Sequence, residues 1–155
     1  MSEYYATDKE TNYIIRKLEY EDYNRGFLEL LEQLTTVNAM SINKIDFNLQ
    51  VKELNKNPGH LIIVMIDKNQ IIATGCIFIE RKFIHTMGKV GHIEDVVVHK
   101  NYRNKGLGKE IINTLVEFAR RIECYKVILD CSEENISFYE NCGFEKKGIE
   151  MSKYF

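Results

Sequence analysis

The sequence predicts an α/β fold of the α+β kind, with a mixed, mostly antiparallel central sheet flanked by helices and containing one βαβ unit. Three observations predict it. Short apolar runs rich in β-branched residues alternate with segments of helical periodicity. Two of those runs, 60–66 and 71–84, are separated by the turn 67–70, which makes an antiparallel hairpin. Two others, 92–99 and 125–131, are separated by a helix over 106–121, so they form a βαβ unit and not a hairpin.

Each element follows in order. Residues 12–18 alternate well enough for a strand. Residues 19–37 read as a helix, with Phe27, Leu30, Leu31 and Leu34 at i, i+3, i+4 and i+7. Residues 42–57 repeat that pattern through Ile42, Ile45, Leu49 and Leu54, and Asn57-Pro58-Gly59 stops them. The run 60–66 is a strand buried on both faces. The run 71–84 is a long strand, 85–91 a loop with two glycines, and 92–99 a central strand. Ile111, Ile112, Leu115, Phe118, Ala119 and Ile122 form one apolar face of the helix 106–121. After the buried strand 125–131, a short helix spans 132–144. Ser132 caps it, Glu133 and Glu134 complement its dipole, and Gly143 ends it. Residues 147–155 make a last strand with Ile149 and Met151 on one face, which completes the order β-α-α-β-β-β-α-β-α-β.

The 155 residues fit one domain, 1–155, and 45% apolar residues can fill its core. A net charge of −2 favours neither nucleic acid nor an anionic membrane. The polar N-terminus has no secretory h-region, and the longest apolar run, 61–66, is too short to cross a bilayer. Cys76, Cys124, Cys131 and Cys142 form no C-x-x-C pair, and no histidine lies at zinc-ligand spacing. Free thiols in a cytoplasmic protein without a metal are the expectation.

The stretch NYRNKGLGKE (101–110) joins a strand to a helix. The first turn of a helix offers N–H groups that have no intrahelical acceptor, and the dipole adds partial positive charge. Gly106 and Gly108 leave the main chain bare, while Arg103, Lys105 and Lys109 add charge. The corner reads as a pyrophosphate site; a tight strand–helix connection is the alternative. G-x-x-x-x-G-K-[ST] is absent, and so is G-x-G-x-x-G, because position 111 is Ile.

Arg103-x-x-Gly106-x-Gly108 resembles the acetyl-CoA signature of the GNAT N-acetyltransferase superfamily. The blocks ERKFIH (80–85), GHIEDVVVH (91–99), CYKVILDCSEENISFYENCGF (124–144) and GIEM (148–151) resemble, in order and spacing, the glucosamine 6-phosphate N-acetyltransferases; LTTV (34–37) extends the likeness weakly. The resemblance implies the GNAT fold and direct transfer of acetyl from acetyl-CoA to the 2-amino group of glucosamine 6-phosphate, in UDP-N-acetylglucosamine biosynthesis. It implies Tyr139, Asp130 and Glu94 as the catalytic set. For the cosubstrate it implies those three with Asp95, Val96 and the corner residues Arg103, Asn104, Lys105, Gly106, Leu107, Gly108 and Lys109. For the sugar phosphate it implies Thr35, Lys82, Phe83, Ile84, His85, Glu94, Tyr125 and Lys126. Some family members bind phosphate with an arginine near the C-terminus; here Tyr154 stands in that place beside Lys153, and its hydroxyl supplies one hydrogen bond but no charge. The family forms intertwined homodimers in which the last strand crosses over.

The residues carry their own argument. Acetyl transfer needs an unprotonated amine, donors for the oxyanion and an acid for the leaving thiolate. Tyr139, with an ordinary pKa of ~10, suits the acid, although a tyrosine beside Phe138 also reads as a core aromatic. Glu94 and Asp95 interrupt an apolar strand, so burial would demand partners, and alternation points them to opposite faces. One then serves the sugar site and the other an ion pair; the resemblance implies in addition a bulge that opens the sheet here, with the main chain of 94–96 against the acetyl-CoA arm and its amides as oxyanion donors. Asp130 ends a buried strand and reads by itself as a cap or turn aspartate, whereas the resemblance implies that it orients the sugar amine. Lys82, His85 and Lys126 are candidate phosphate cations. Cys131 and Cys142 lie near enough in sequence for an acetyl-cysteine route, but neither has a basic partner in its motif.

Three other readings stay open: a GNAT enzyme for protein N-termini or polyamines, an acetyl-CoA-binding regulatory module, and a nucleotide-binding domain. Lys82, His85, Lys89 and Lys126 disfavour a polyamine. Tyr139 disfavours the regulatory module, and the missing Walker and Rossmann patterns disfavour the third.

Overall fold

The computed structural model describes residues 13–155 and the backbone of Tyr4–Tyr5. Six strands lie in sequence order in one sheet: β1 (Tyr4–Tyr5), β2 (Ile14–Lys17), β3 (His60–Asp67), β4 (Gln70–Arg81), β5 (Lys89–Val98) and β6 (Lys126–Ile128). The helices are α1 (Phe27–Leu31), α2 (Lys44–Asn55), the single turn α3 (Ile84–Met87), α4 (Leu107–Arg121) and α5 (Ile136–Glu140). Every strand pair is antiparallel except β5–β6, which is parallel because α4 connects them.

Each face of the sheet carries its own apolar cluster. On one face α4 packs Leu107, Ile111, Ile112, Leu115 and Ala119 over Ile63, Met65, Ile77 and Ile93. This is the stripe expected of the helix, and it excludes water from the sheet centre. On the other face Phe27, Leu28, Leu30, Phe47 and Val51 cover Val64, Ile71 and Val97. A buried ion pair pins the entry to that layer. Asp22 accepts from Arg16 Nη1 and Nη2, each at 2.7 Å, and from Arg25 Nη1 at 3.0 Å.

Several elements differ from expectation. The helix over 19–37 is broken: a 3-10 segment (Tyr20–Arg25) ends at Gly26, whose φ of 81° is left-handed, and α1 stops at Leu31. In α2 the buried residues are Phe47 and Val51, while Ile45 and Leu49 of the expected stripe face solvent. That helix carries two apolar faces, and the sheet takes the one that buries an aromatic ring. The strand expected over 71–84 ends at Arg81, and β5 begins at Lys89, so the loop expected over 85–91 shifts to 82–88. The strand over 125–131 shrinks to β6, half-exposed, and the helix over 132–144 is a 3-10 turn (Glu133–Asn135) followed by α5. Ser132 precedes that turn without a side-chain cap bond, whereas Gly143 (φ 89°) does end the segment. Residues 147–155 pair with no strand among the described residues, and Ile149, Met151, Tyr154 and Phe155 are each at least 90% exposed. Asn12, the first residue of the first expected strand, lies outside the described residues.

Candidate active site

The site is built on the sheet face opposite α4, where β4, β5 and β6 lie side by side. Registers place Glu80, Val90 and Lys126 in one row, and Phe78, His92 and Ile128 in the next. Cys76 and Glu94 form the third. There β6 has left the sheet, because its pairing with β5 ends at His92–Ile128. Two residues further on, Asp130 falls on the same face by alternation, and its charge is the largest acting on the Glu94 carboxyl. Partial desolvation first, and then the charges of Asp130 and Asp95, push that carboxyl above the ordinary glutamate range. The face is therefore cationic at one end, aromatic and aliphatic in the middle, and acidic at the other. Val90 to Glu94 spans about 13 Å at ~3.3 Å per residue.

A β-bulge shapes the acidic end. Thr74 pairs with Val97 and Cys76 with Glu94, so Asp95 and Val96 together oppose Gly75. Asp95 takes a left-handed φ of 52°. The bulge cancels strict alternation: both Asp95 and Glu94 act on Cys76, whose thiol is pushed up to about 12 by burial and then by these two charges. Neither carboxylate is buried, and Asp130 is exposed as well. The expectations of opposite faces, of a buried ion pair at Glu94 or Asp95, and of a buried strand ending at Asp130 are thus corrected. Solvent at the β5–β6 split hydrates all three carboxylates, so none needs a partner. Val96 turns to the other face, where its Cγ2 would lie 3.3 Å from a Cβ at Gly75.

Beyond the split stands the glycine corner. Gly106 sits at the N-cap of α4 with φ 80°, and the first intrahelical bond runs from Glu110 N to Gly106 O at 3.2 Å. The first-turn amides before Glu110 precede that ladder. Space around Gly106 is open, whereas a Cβ at Gly108 would come within 3.1 Å of Phe138 Cζ. Gly106 thus supplies a backbone conformation, and Gly108 lets α5 approach α4. Leu107 is buried and offers only its main chain. Arg103, Asn104, Lys105 and Lys109 are exposed around the corner. Lys105 Nζ lies 5.1 Å over the Tyr102 ring, and Tyr102 Oη donates to Asp67 Oδ2 at 2.8 Å.

α5 bridges the corner and the split. Phe138 meets Gly108, while Tyr139 packs edge-on against Phe138 and Phe144 at centroid separations of 4.9 and 6.2 Å. Tyr139 is therefore a packed aromatic, but its hydroxyl makes no hydrogen bond among the described residues and remains a free donor. Burial first, and then Cys131, Cys142 and Glu94, push its phenol above the ordinary tyrosine value. Burial likewise raises the Cys142 thiol.

The cationic end gathers two groups. Tyr125 lies between His85, whose ring centroid is 4.2 Å away, and Lys126, whose Nζ stands 5.8 Å over the ring. Lys82 Nζ pairs with Glu80 Oε1 at 2.6 Å, and Glu80 Oε2 meets His92 Nε2 at 2.9 Å. Glu80 and His92 were not among the expected site residues; counting back by twos from Glu94 reaches His92 and is the signal that finds it. Phe83 and Ile84 are exposed at the left-handed turn His85–Met87 (φ 52°, 54°, 61°). Thr35 is exposed beyond α1. Tyr154 lies in the exposed C-terminal segment and makes no hydrogen bond or ring contact among the described residues, so one chain does not bring it to the face. Lys89 turns away and donates to the carbonyl of Ile122 at the end of α4. No group of three or more metal-ligating side chains occurs among the described residues.

A split parallel pair, a bulged strand and a glycine corner at a helix start define an acyl-CoA-handling architecture, and residues 13–144 match the acetyltransferase (GNAT) family. The chain belongs to that family. It is similar to a glucosamine 6-phosphate N-acetyltransferase of Arabidopsis thaliana, 46% identical over 144 residues, covering 91% of this chain and 95% of the relative. A relative of the same description from Dictyostelium discoideum is 45% identical, covering 90% and 88%. The crystal structure of the Arabidopsis enzyme superposes with a TM-score of 0.90 at 45% identity, covering 94% of this chain and 99% of that one.

Proposed function

We propose that this chain transfers the acetyl group of acetyl-CoA to the 2-amino group of glucosamine 6-phosphate. The observation that carries the reading is the polarity of the sheet face: carboxylates Glu94 and Asp130 at the split, and at the far end the ammonium groups of Lys82 and Lys126 with the His85 imidazole as a further hydrogen-bonding group. An amino sugar phosphate has the matching polarity, with an ammonium at one end and a phosphate at the other. The similarity to relatives named for this substrate supports it.

The first-turn amides of α4, with Arg103, Lys105 and Lys109, hold the diphosphate of acetyl-CoA. The bulge at Asp95 and the departure of β6 leave the β6-facing edge of β5 uncovered beyond His92, where main-chain amides of the 94–96 segment can donate to the thioester oxygen. Glu94 and Asp130 orient the amine and pass its proton to water at the split. The amine attacks the thioester carbon, the C–S bond breaks, and Tyr139 donates its phenolic proton to the departing sulfur. An acetyl-cysteine route is disfavoured, since burial keeps Cys142 a thiol.

The exposed apolar C-terminal segment supports an intertwined homodimer, in which 147–155 pairs with a partner chain and brings Tyr154 to the partner's face. The chain acts as one domain in the cytoplasm, where its four cysteines stay free thiols. Among the described residues no helix is long and apolar enough to cross a membrane. A thiol-release assay tests the substrate. Acetyl-CoA with glucosamine 6-phosphate releases CoA rapidly, whereas glucosamine reacts poorly for want of phosphate binding energy. Equal rates for both would reject the reading.

A further inference from the structure

We propose that Glu80 and His92 are positioning residues that hold Lys82 in place for the sugar phosphate, an inference that rests on the substrate reading above. The Glu80 carboxylate is shared, with Lys82 Nζ at 2.6 Å on one oxygen and His92 Nε2 at 2.9 Å on the other. His92 is itself held flat, stacked on Phe78 at a 4.4 Å centroid separation and 15° between planes. Phe78 and His92 are cross-strand partners, so the stack stands on the sheet and not on a loop.

The chemistry of the three groups sets the direction of control. Hydrogen bonds from Lys82, and then from His92, hold the Glu80 carboxyl below the ordinary glutamate range, so it is an acceptor only. His92 Nε2 must then carry the proton and donate. A lysine at the end of a strand has a long, freely rotating stem, and ordering it costs rotamer entropy. Here that ordering precedes ligand arrival. Alternation places Glu80 and Lys82 together, whereas Arg81 between them points away. His92 occupies the row between Lys126 and Glu94, so the trio lies within the face that joins the two ends.

The test measures kcat and KM of the full chain for glucosamine 6-phosphate, glucosamine and acetyl-CoA. Glu80→Gln and His92→Leu are expected to raise KM for glucosamine 6-phosphate by about fivefold, as befits a partly exposed charged pair. KM for glucosamine and for acetyl-CoA, and kcat, stay within about twofold. His92→Gln, which keeps a donor toward Glu80, restores much of the lost affinity. In a Lys82→Ala background, Glu80→Gln has no further effect, because it acts through Lys82. An equal rise in KM for both sugars, an additive double variant, or unchanged kinetics overturns the inference. A wild-type chain that does not prefer the phosphorylated sugar fails the substrate reading instead. Thermal melting of each variant identifies misfolding, and the double variant decides the question even where one single variant is destabilised.

Discussion

At neutral pH the Tyr139 phenol keeps its proton, held above its ordinary value by burial and then by Cys131, Cys142 and Glu94. An acid of that kind matters only when a thiolate departs. Tyr139→Phe is therefore expected to lower kcat by about 10²-fold while leaving the Kd for acetyl-CoA nearly unchanged. Single-turnover rates and calorimetric binding separate the two effects, and an unaltered kcat removes the tyrosine from its role. At the other side of the split, Glu94→Gln is expected to weaken the amino sugar by roughly 10- to 100-fold in kcat/KM, the range of a charged hydrogen bond. Individual residue types were legible in the sequence here: a tyrosine in ISFYENCGF and carboxylates inside an apolar strand both stand out. Their disposition was not. Strand alternation separates Glu94 from Asp95, yet a left-handed φ at a non-glycine residue re-aims both, and no local propensity announces it.

Elements were legible where one periodic face dominates. Ile111, Ile112, Leu115 and Ala119 lie on a single stripe of α4, and that stripe is the buried one. α2 offers two stripes, so its orientation depends on the sheet it meets; Phe47 and Val51 turn inward, Ile45 and Leu49 outward. β6 was overread because the apolar run Val127–Leu129 suggests a buried strand through to Cys131, whereas its pairing with β5 stops at His92–Ile128, ahead of the β5 bulge. The α4 corner gives a test at this scale. Gly106→Ala forces a Cβ into φ 80° with no steric neighbour, so it costs about 1 kcal/mol of stability through the backbone alone. Gly108→Ala instead pushes Phe138 away and so disturbs Tyr139. The expected outcome is a larger fall in kcat for Gly108→Ala than for Gly106→Ala, at comparable melting temperatures.

For the whole molecule, Asp22 ties the sheet to the helical layer. Burial alone would raise its carboxyl, but hydrogen bonds from Arg16, the Glu19 amide and Arg25 outweigh it and hold it below the ordinary aspartate range. A lowered folded-state value contributes stability above the unfolded one, and this is lost as pH falls through the folded one. Asp22→Asn is thus expected to cost about 3–5 kcal/mol near neutrality and to flatten the pH dependence of melting below about pH 4. The C-terminal segment was the least legible part at this scale: its apolar alternation reads as a strand, yet among the described residues 147–155 pair with none. Removal of residues 148–155 is expected to convert a dimer into a monomer by sedimentation, with loss of glucosamine 6-phosphate affinity.

The opposed charges along the sheet face also act before contact. On the proposed substrate reading, a zwitterion drifting past would feel a torque turning its anionic tail toward Lys82 and Lys126 and its cationic head toward Glu94 and Asp130, so that capture would select orientation. Added electrolyte, with a screening length near 10 Å at 0.1 M, shrinks that torque; it should slow encounter and leave the rate of bond exchange in the loaded complex alone.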